Sequence, residues 1–352
     1  MNWADRPYAI GRGLAAIRPK HGNDTAHYVR AVIEAGLSQL LQAATGSTFP
    51  NVSREQLLGI PFRVLGVSEQ KRISGILGAL DDKIELNRKM NETLEQMAKA
   101  LFKSWFVDFD PVHAKAAGRQ PVGLDKDTAD LFPDSFVDSE LGNVPKGWRS
   151  ATFAEHMEAV RGLSYNGDGL TSEGMGLPMH NLNSVYEGGG YKHEGLKFYN
   201  GEFKEKHVIR PGDMIVTNTE QGFDHLLIGH AAIVPSRYGD RGIFSHHLYR
   251  VRPKNTSPFT AYYLVQLFNN PRWHYWISGF SNGTTINMLP LDALEMPKLV
   301  VPAAELIEKF SQSAKALDDK FEGNLQEIEA LTNLRDTLLP RLLGGELPTE
   351  SR

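Results

Sequence analysis

Two stretches of the chain, about 237 residues apart, follow the same sequence pattern. Ala-Leu-Asp-Asp-Lys at residues 79–83 recurs at 316–320, an offset of 237. Nearer the N-terminus the offset slips to 234, where Arg-Pro-Lys at 18–20 matches 252–254. An internal repeat of this length predicts two structural units built to one plan.

Each copy ends in a stretch whose core positions lie seven residues apart. These positions are Ile73, Leu80, Asn87, Leu94 and Leu101 in the first copy and Phe310, Leu317, Asn324, Leu331 and Leu338 in the second. Heptad spacing of this kind predicts long helices that pair as a coiled coil. We expect the two helices to pair antiparallel within one chain.

Both heptad series place an asparagine at the third core position. A polar residue in an apolar seam lowers stability and can fix the register of the helices. We therefore interpret Asn87 and Asn324 as register-setting residues. The alternative is that both are surface asparagines on helices that only pack against a globular domain.

The repeat and the changes in composition divide the chain into six segments. These are a partial globular domain (1–67), a first long helix (68–107), a linker rich in Asp and Pro (108–147), a complete globular domain (148–301), a second long helix (302–345) and a tail (346–352). Because Met1 aligns near Pro235, we expect the first copy to lack roughly the first half of its globular part.

Short apolar runs separated by turn residues predict a mixed α+β fold for 148–301. Strands are predicted at 206–209, 214–217, 231–234 and 248–251, with a helix at 257–268. In the first copy the predicted elements are strands at 14–17 and 62–65, a helix at 25–44 and a Gly-Ser-Thr loop at 46–48. The linker is expected to be an ordered strap without helix or strand.

The composition of the chain excludes several kinds of chemical site and argues against a membrane span. The chain contains no cysteine, so disulfides, thiolate zinc sites and a cysteine nucleophile are excluded. No apolar run approaches the roughly 18 residues that a membrane span requires. We expect no contact with a membrane and a cytoplasmic location. The net charge of −4 gives no overall attraction to nucleic acid.

Catalytic motifs are weak. Asn270-Pro271-Arg272-Trp273 only partly matches the loop of amino-methyltransferases, and a turn after a helix is the simpler interpretation. The pair His246-His247 could bind a metal, but adjacent residues on a strand point to opposite faces. We therefore expect no catalytic residue, no metal site and no cofactor in this chain.

Several segments, taken in order, resemble the specificity subunit of type I restriction–modification systems. They are the Pro-Gly-Asp turn and strand at 210–216, the Gly-Thr loop at 281–287, the strand at 299–302, the helix start at 69–84, the helix end and following residues at 103–111, and the domain entry at 145–148. The resemblance covers essentially the whole chain.

This resemblance implies a non-catalytic subunit in which two target recognition domains each contact one half of a bipartite DNA target. Two antiparallel helices would hold these domains apart. The implied partners are double-stranded DNA, DNA methyltransferase (modification) subunits and restriction (motor and nuclease) subunits. Because the first recognition domain here is partial, one chain could contact a single half-site, and a self-dimer would restore two.

Residues suited to DNA contact occur on predicted loops of 148–301. Arg, Asn, Gln and His can hydrogen bond to base edges, while Lys and hydroxyl groups suit phosphates. The candidates are Arg161, Tyr165, Asn166, Lys192, His193, Lys204, Lys206, Asn218, Gln221, Asn282, Thr284 and Thr285. Of these, we expect Arg161 and Gln221 to contact bases.

Two other functions stay open from the sequence. A DNA methyltransferase-related enzyme would need a cofactor-binding sheet, for which no Gly-rich motif is found. A coiled-coil scaffold without a DNA role would account for the helices but not for two matching globular parts.

Overall fold

The computed structural model describes residues 1–44, 51–222, 224–283 and 286–346. The chain forms two compact units, Met1–Thr93 with Phe321–Arg352 (unit 1) and Leu94–Lys320 (unit 2). The expected mixture of helices and sheets with two long helices is confirmed. Within the described ranges, no helix combines the length and the apolar character of a membrane span.

Two long helices and nine short ones lie in the described residues. They are α1 (Ala26–Ala35), α2 (Leu37–Ala43), α3 (Arg54–Leu58), α4 (Val67–Phe106), α5 (Asp110–Ala116), α6 (Lys126–Asp130), α7 (Phe153–His156), α8 (Ala261–Phe268), α9 (Pro271–Ser278), α10 (Asp292–Glu295) and α11 (Ala304–Gly344). The long helices α4 and α11 are the two heptad stretches.

The strands of the described residues are short. They are β1 (Phe136–Ser139), β2 (Gly142–Pro145), β3 (Arg149–Thr152), β4 (Met157–Arg161), β5 (Leu170–Thr171), β6 (Leu177–His180), β7 (Lys197–Tyr199), β8 (Val208–Ile209), β9 (Met214–Thr217), β10 (Thr219–Gln221), β11 (Ala231–Ile233), β12 (Gly242–Phe244), β13 (Leu248–Pro253), β14 (Ile286–Met288) and β15 (Lys298–Val301). The strands predicted at 214–217, 231–234 and 248–251 are thereby confirmed. Of the strand predicted at 206–209, only Val208–Ile209 is a strand, because Glu205–His207 form a 3-10 helix.

Unit 2 contains a four-stranded sheet, β11-β9-β13-β4, and a five-stranded sheet, β5-β7-β6-β12-β8. The pairs β10–β14 and β15–β3 are antiparallel ladders beside them. Strand β9 is buried on both faces, with Met214 and Val216 in one apolar cluster and Ile215 in another. This burial explains why its sequence is a continuous apolar run rather than an alternating one.

In unit 1 the two long helices contact each other through apolar and polar residues. Ile73 of α4 lies in an apolar cluster that includes Leu342 of α11. Further along α4, Asp81 accepts a hydrogen bond from Arg335 Nη1 at 3.1 Å, and Asn91 Oδ1 accepts one from Asn324 at 2.8 Å. Partner numbers on α11 fall as those on α4 rise, so within this unit the contacts run antiparallel.

In unit 2 aromatic side chains join the two long helices to α8. Phe310 is fully buried and its ring lies 5.5 Å from that of Phe102 and 5.4 Å from that of Phe106, measured between centroids. Tyr263 of α8 packs edge-on against Phe102 at 5.2 Å. Burial raises the pKa of Tyr263.

The prediction that the linker has no helix or strand is wrong. Residues 108–147 contain α5, α6 and the hairpin β1–β2. Pro111 stands in the first turn of α5, where the missing N–H costs nothing. Asp125 caps α6 by accepting from the Thr128 amide at 2.9 Å, and Gly142 (φ 89°) completes the tight turn of the hairpin. Local turn chemistry here forms short elements that hydrophobic periodicity does not reveal.

The first copy departs from its predictions in three places. The helix predicted over 25–44 is divided into α1 and α2 at Gly36, where a Cβ would come within 2.6 Å of Ile60 Cγ2. The segments 14–17 and 62–65 are not strands. Their counterparts in the second copy pair with β3, β4 and β9, and the described residues of the first copy contain no counterpart of those strands. The predicted loop 46–48 lies outside the described residues.

Pro340 lies within the last turns of α11. It stands inside the helix, which continues to Gly344 and stops before Gly345 (φ 71°). Leu339 and Leu342, on either side of Pro340, pack into the apolar cluster of unit 1. We infer that this packing offsets the backbone hydrogen bond that a proline removes.

Candidate nucleic-acid interface

Arg161 is exposed at the end of β4, beside the turn between β12 and β13. Its Nε donates a hydrogen bond to the His246 carbonyl oxygen at 3.1 Å, and its Nη2 lies 3.7 Å from the Met288 sulfur. These contacts fix one edge of the guanidinium group against the protein. A guanidinium held in this way can present a two-point donor pattern to a base or phosphate.

The short ladder between β10 and β14 brings two further candidates to the same place. Gln221 pairs with Ile286 across the ladder, and Asn282 forms a bridge with Met288. Gln221 and Asn282 are exposed, and Ile286 is 60% exposed. We call Arg161, Gln221, Asn282, Ile286 and Met288 the β14 surface. Arg, Gln and Asn are the side chains that form paired hydrogen bonds with guanine and adenine, and exposed apolar groups can contact the thymine methyl.

Glu220 is buried beneath the β14 surface. Its carboxylate accepts hydrogen bonds from three consecutive backbone amides, those of Leu226, Leu227 and Ile228, at 2.8, 3.2 and 3.0 Å. These bonds close the loop that follows β10. Glu220 therefore acts inside the protein, where it holds the backbone next to Gln221.

Tyr165 adjoins this surface through the turn that anchors Arg161. Its ring centroid lies 6.4 Å from that of His246 and 5.9 Å from that of Tyr199. Lys197 donates to the Tyr165 hydroxyl at 3.2 Å, with its ammonium 5.8 Å from the ring centroid. Asn166 is exposed next to Tyr165. Lys197 was not among the sequence candidates because a lysine in a strand carries no distinguishing pattern.

Lys192 and His193 belong to a separate aromatic cluster. The Lys192 ammonium lies 5.7 Å from the ring centroid of Tyr186, and His193 Nδ1 lies 3.0 Å from the Tyr238 hydroxyl. His180, in the same cluster, is fully buried, and this burial lowers its pKa to about 4. Both candidates are half-buried, and the cluster's hydrogen bonds give His193 a structural role.

Lys204 and Lys206 are exposed on either side of Glu205. Glu205 in turn accepts from Arg241 at 3.0 Å and lies 3.7 Å from Arg210. Two arginines therefore contact the carboxylate that Lys204 and Lys206 flank in sequence, which makes this a basic patch. Such a patch suits the DNA backbone rather than a particular base.

One candidate, Asn218, is not exposed as predicted. Asn218 is fully buried; its amide group donates to the His246 carbonyl oxygen at 3.1 Å, so it supports the turn behind Arg161 and cannot reach DNA. Thr284 and Thr285 lie outside the described residues. The sequence missed the burial of Asn218 because a polar residue between two strands resembles an ordinary loop residue.

The pair His246-His247 lies in a turn and not on a strand, so the predicted opposite orientation is wrong. The two rings are 3.9 Å apart, and His247 Nδ1 lies 2.8 Å from the Thr219 hydroxyl. Burial, followed by the neighbouring His246, lowers the pKa of His247. Among the residues that the structure describes, no group of three or more His, Asp or Glu side chains could hold a metal ion.

The methyltransferase-like segment at 270–273 is part of a helix cap. Asn270 accepts a hydrogen bond from the Arg272 amide at 3.1 Å, and Pro271 is the first residue of α9. Among the described strands, β6 and β12 form the one parallel pair between named strands. This arrangement differs from the mainly parallel sheet that binds dinucleotide-type cofactors.

Comparison with known proteins finds similarity to one class of protein. The family model described as "Type I restriction modification DNA specificity domain" matches residues 1–96. The resemblance to specificity subunits of type I restriction–modification systems that is seen in the sequence is thereby confirmed.

Two curated relatives are similar along nearly the whole chain. The type I restriction enzyme HindI specificity subunit of Haemophilus influenzae is 26% identical over 370 residues, which cover 92% of this chain and 75% of that protein. The MjaIX specificity subunit of Methanocaldococcus jannaschii is 25% identical over 364 residues, covering 99% and 74%. The fold is also similar to the crystal structure of a type I restriction-modification system S subunit from M. genitalium, with a TM-score of 0.51, 16% identity, and coverage of 91% of this chain and 72% of that one.

Proposed function

We propose that this protein is the DNA specificity subunit of a type I restriction–modification complex and that its domain 148–301 contacts one part of a bipartite double-stranded DNA target. The convergence of Arg161, Gln221 and Asn282 on β14 carries this proposal. These side chains come from three separate segments, and each type can distinguish bases through two hydrogen bonds. The relatives named for specificity support the same function.

The two long helices would set the distance between the globular parts. We propose that α4 and α11 form an antiparallel coiled coil, with 1–67 as the partial first recognition domain, 108–147 as the linker and 346–352 as a tail. The antiparallel contacts in unit 1 support this arrangement. The repeat supports it as well, since it gives both helices the same series of core positions.

We propose methyltransferase and restriction subunits as the protein partners of this chain. We also propose that the complex is located in the cytoplasm. Because the chain has a net charge of −4, it lacks the overall positive charge that gives strong nonspecific binding to DNA. We propose that these partners supply much of the phosphate contact. A self-dimer would bring two β14 surfaces to one DNA molecule.

Changes at the β14 surface and at the basic patch should affect DNA binding differently. Gln221→Ala should lower affinity for the selected target about 10- to 100-fold and relax the preference at one base pair, because one paired base contact contributes about 1–3 kcal/mol. The double variant Lys204→Ala, Lys206→Ala should weaken binding to all sequences by a similar factor. The slope of log affinity against log salt concentration should fall by an amount that corresponds to about one to two phosphate contacts.

The measurement is selection of duplexes from a random pool by the full chain, followed by fluorescence anisotropy with each variant at several salt concentrations. Lys126→Ala, which removes an exposed lysine from α6, is the control and should leave both affinity and preference unchanged. Unaltered affinity and base preference in all three variants would show that this face does not contact DNA.

The buried asparagines provide a test of the coiled coil. Asn87 donates to Glu327 at 2.9 Å, and Asn324 Oδ1 is buried without a hydrogen-bond partner in the described part of the chain. Replacing both by leucine should raise the melting temperature and loosen the specificity of pairing, because polar core residues cost stability. Calorimetry measures the first effect, with Asn333→Leu at an exposed position of α11 as the matched control. A lower melting temperature would count against the register role.

A further inference from the structure

The ladder between β10 and β14 has a buried face and, at its Gln221 end, an exposed one. Glu220 and Asn287, which pair across the ladder, are 9% and 3% exposed, and the Asn287 amide group donates to the Gly222 carbonyl oxygen. Because side chains alternate along a strand, the neighbouring pair Gln221 and Ile286 turns to the opposite face. Both members of that pair are exposed.

The exposed face carries apolar side chains that are unusual for a strand of this domain. In the described part of 148–301, the large hydrophobic residues that are exposed on strands are Leu170 (38%), Ile286 (60%) and Met288 (38%). Two of these three lie in β14, and Ile286 is the most exposed. An isoleucine side chain has few accessible rotamers, so holding it against a ligand costs little conformational entropy.

Gln221 and Ile286 together match the chemistry of one kind of base pair. They lie directly opposite each other in the ladder, which places their Cβ atoms about 5 Å apart. A glutamine can form two hydrogen bonds with adenine, and thymine, the partner of adenine, presents a C5-methyl group in the major groove. A G·C pair has no methyl group at that edge. An amide beside an apolar side chain therefore suits an A·T pair.

We propose that Ile286 contacts the C5-methyl group of a thymine in the major groove, in the A·T pair whose adenine is contacted by Gln221. This inference rests on the proposed DNA-binding function and names one base pair of its target. The major groove is wide enough to admit a two-stranded ribbon. Met288, further along β14, lies 3.7 Å from Arg161, which adds a cation beside the ribbon for a neighbouring base or phosphate.

Uracil provides a direct test, because it differs from thymine only in lacking the C5-methyl group and pairs with adenine in the same way. Fluorescence anisotropy is measured with the full chain and the duplex selected from the random pool, in which single thymines are replaced by uracil. We expect affinity to fall about fourfold at the A·T pair whose preference Gln221→Ala relaxes, the factor given by burial of one methyl-sized group. Thymines in the flanking DNA are the internal control.

Variants of Ile286 assign the contact to this side chain. Ile286→Ala should bind the thymine and uracil duplexes equally, and Ile286→Val, which keeps two methyl groups, should retain part of the difference. Met296→Ala, at a residue that is 61% exposed and outside the β14 surface, is the matched control and should retain all of it. Because each of these side chains is exposed, the melting temperature should stay unchanged.

Three results would overturn this inference while leaving the proposed function intact. They are equal affinity of the unmodified chain for thymine and uracil at this pair, a difference that persists in Ile286→Ala, and a Gln221→Ala variant that relaxes the preference at no A·T pair. In all three the chain still selects and binds DNA. Failure to select any duplex would instead contradict the proposed function, and this inference with it.

Discussion

Phe310→Ala is expected to lower the free energy of unfolding of unit 2 by about 3–5 kcal/mol, the usual loss when a fully buried phenylalanine is truncated. The ring of Phe310 contacts those of Phe102 and Phe106 from α4 and, at 6.2 Å, that of Tyr263 from α8. Aromatic pairs of this geometry contribute beyond the area that they bury. One substitution on α11 therefore removes contacts with two other helices.

Urea denaturation followed by tryptophan fluorescence measures this effect. Unit 2 holds four of the five tryptophans, so the signal reports mainly on this unit. Leu334→Ala is the control on the same helix, at a residue that is 47% exposed, and should change stability by less than about 1 kcal/mol. If Phe310→Ala also cost less than about 1 kcal/mol, the aromatic cluster would not be what joins the long helices to the domain.

Sequence periodicity correctly predicted the elements whose buried positions follow a regular pattern along the chain. The heptads located α4 and α11 to within about two residues, and continuous apolar runs located β9 and β13. The prediction for the linker was wrong because its short helices depend on local features, such as Pro111 in a first turn and the Asp125 cap. These features involve only three or four residues and leave no periodic signal in the sequence.

Strands need partners, and this limited the predictions for the first copy. The segment at 14–17 has the same apolar character as β13, but a strand exists only where another strand supplies hydrogen bonds. Sequence pattern identifies the propensity of such a segment and cannot identify the absence of its partner.

The candidate surface was predicted only in part. Arg161, Gln221 and Asn282 were selected for the chemistry of their side chains, and the structure brings them together on β14. Asn218 was selected for the same reason, yet it is buried. Whether such a side chain is exposed or buried depends on strand pairing between segments far apart in the chain. A local sequence pattern carries no information about that pairing.

Glu220 is a buried residue in this region whose replacement should strongly reduce the sequence preference of the domain. Glu220→Ala would leave the amides of Leu226, Leu227 and Ile228 without their acceptor. Hydrogen bonds to a charged group contribute about 1.5–3 kcal/mol each, and unpaired buried donors add to the cost. We expect the loop after β10 to loosen and the preference for the selected target over random duplex to fall at least tenfold.

The same experiment separates a positioning role from a general loss of structure. Binding to random duplex depends on phosphate contacts and should stay unchanged, since the basic patch around Lys204 and Lys206 is distant in sequence from this loop. Glu220→Gln keeps one carbonyl oxygen and should restore part of the preference. Asp224→Ala removes an exposed carboxylate from the same loop, which makes it the control for charge, and it should not reduce the preference. If Glu220→Ala weakened binding to target and random duplex equally, Glu220 would stabilise the domain as a whole and would have no specific part in holding Gln221 for base contact.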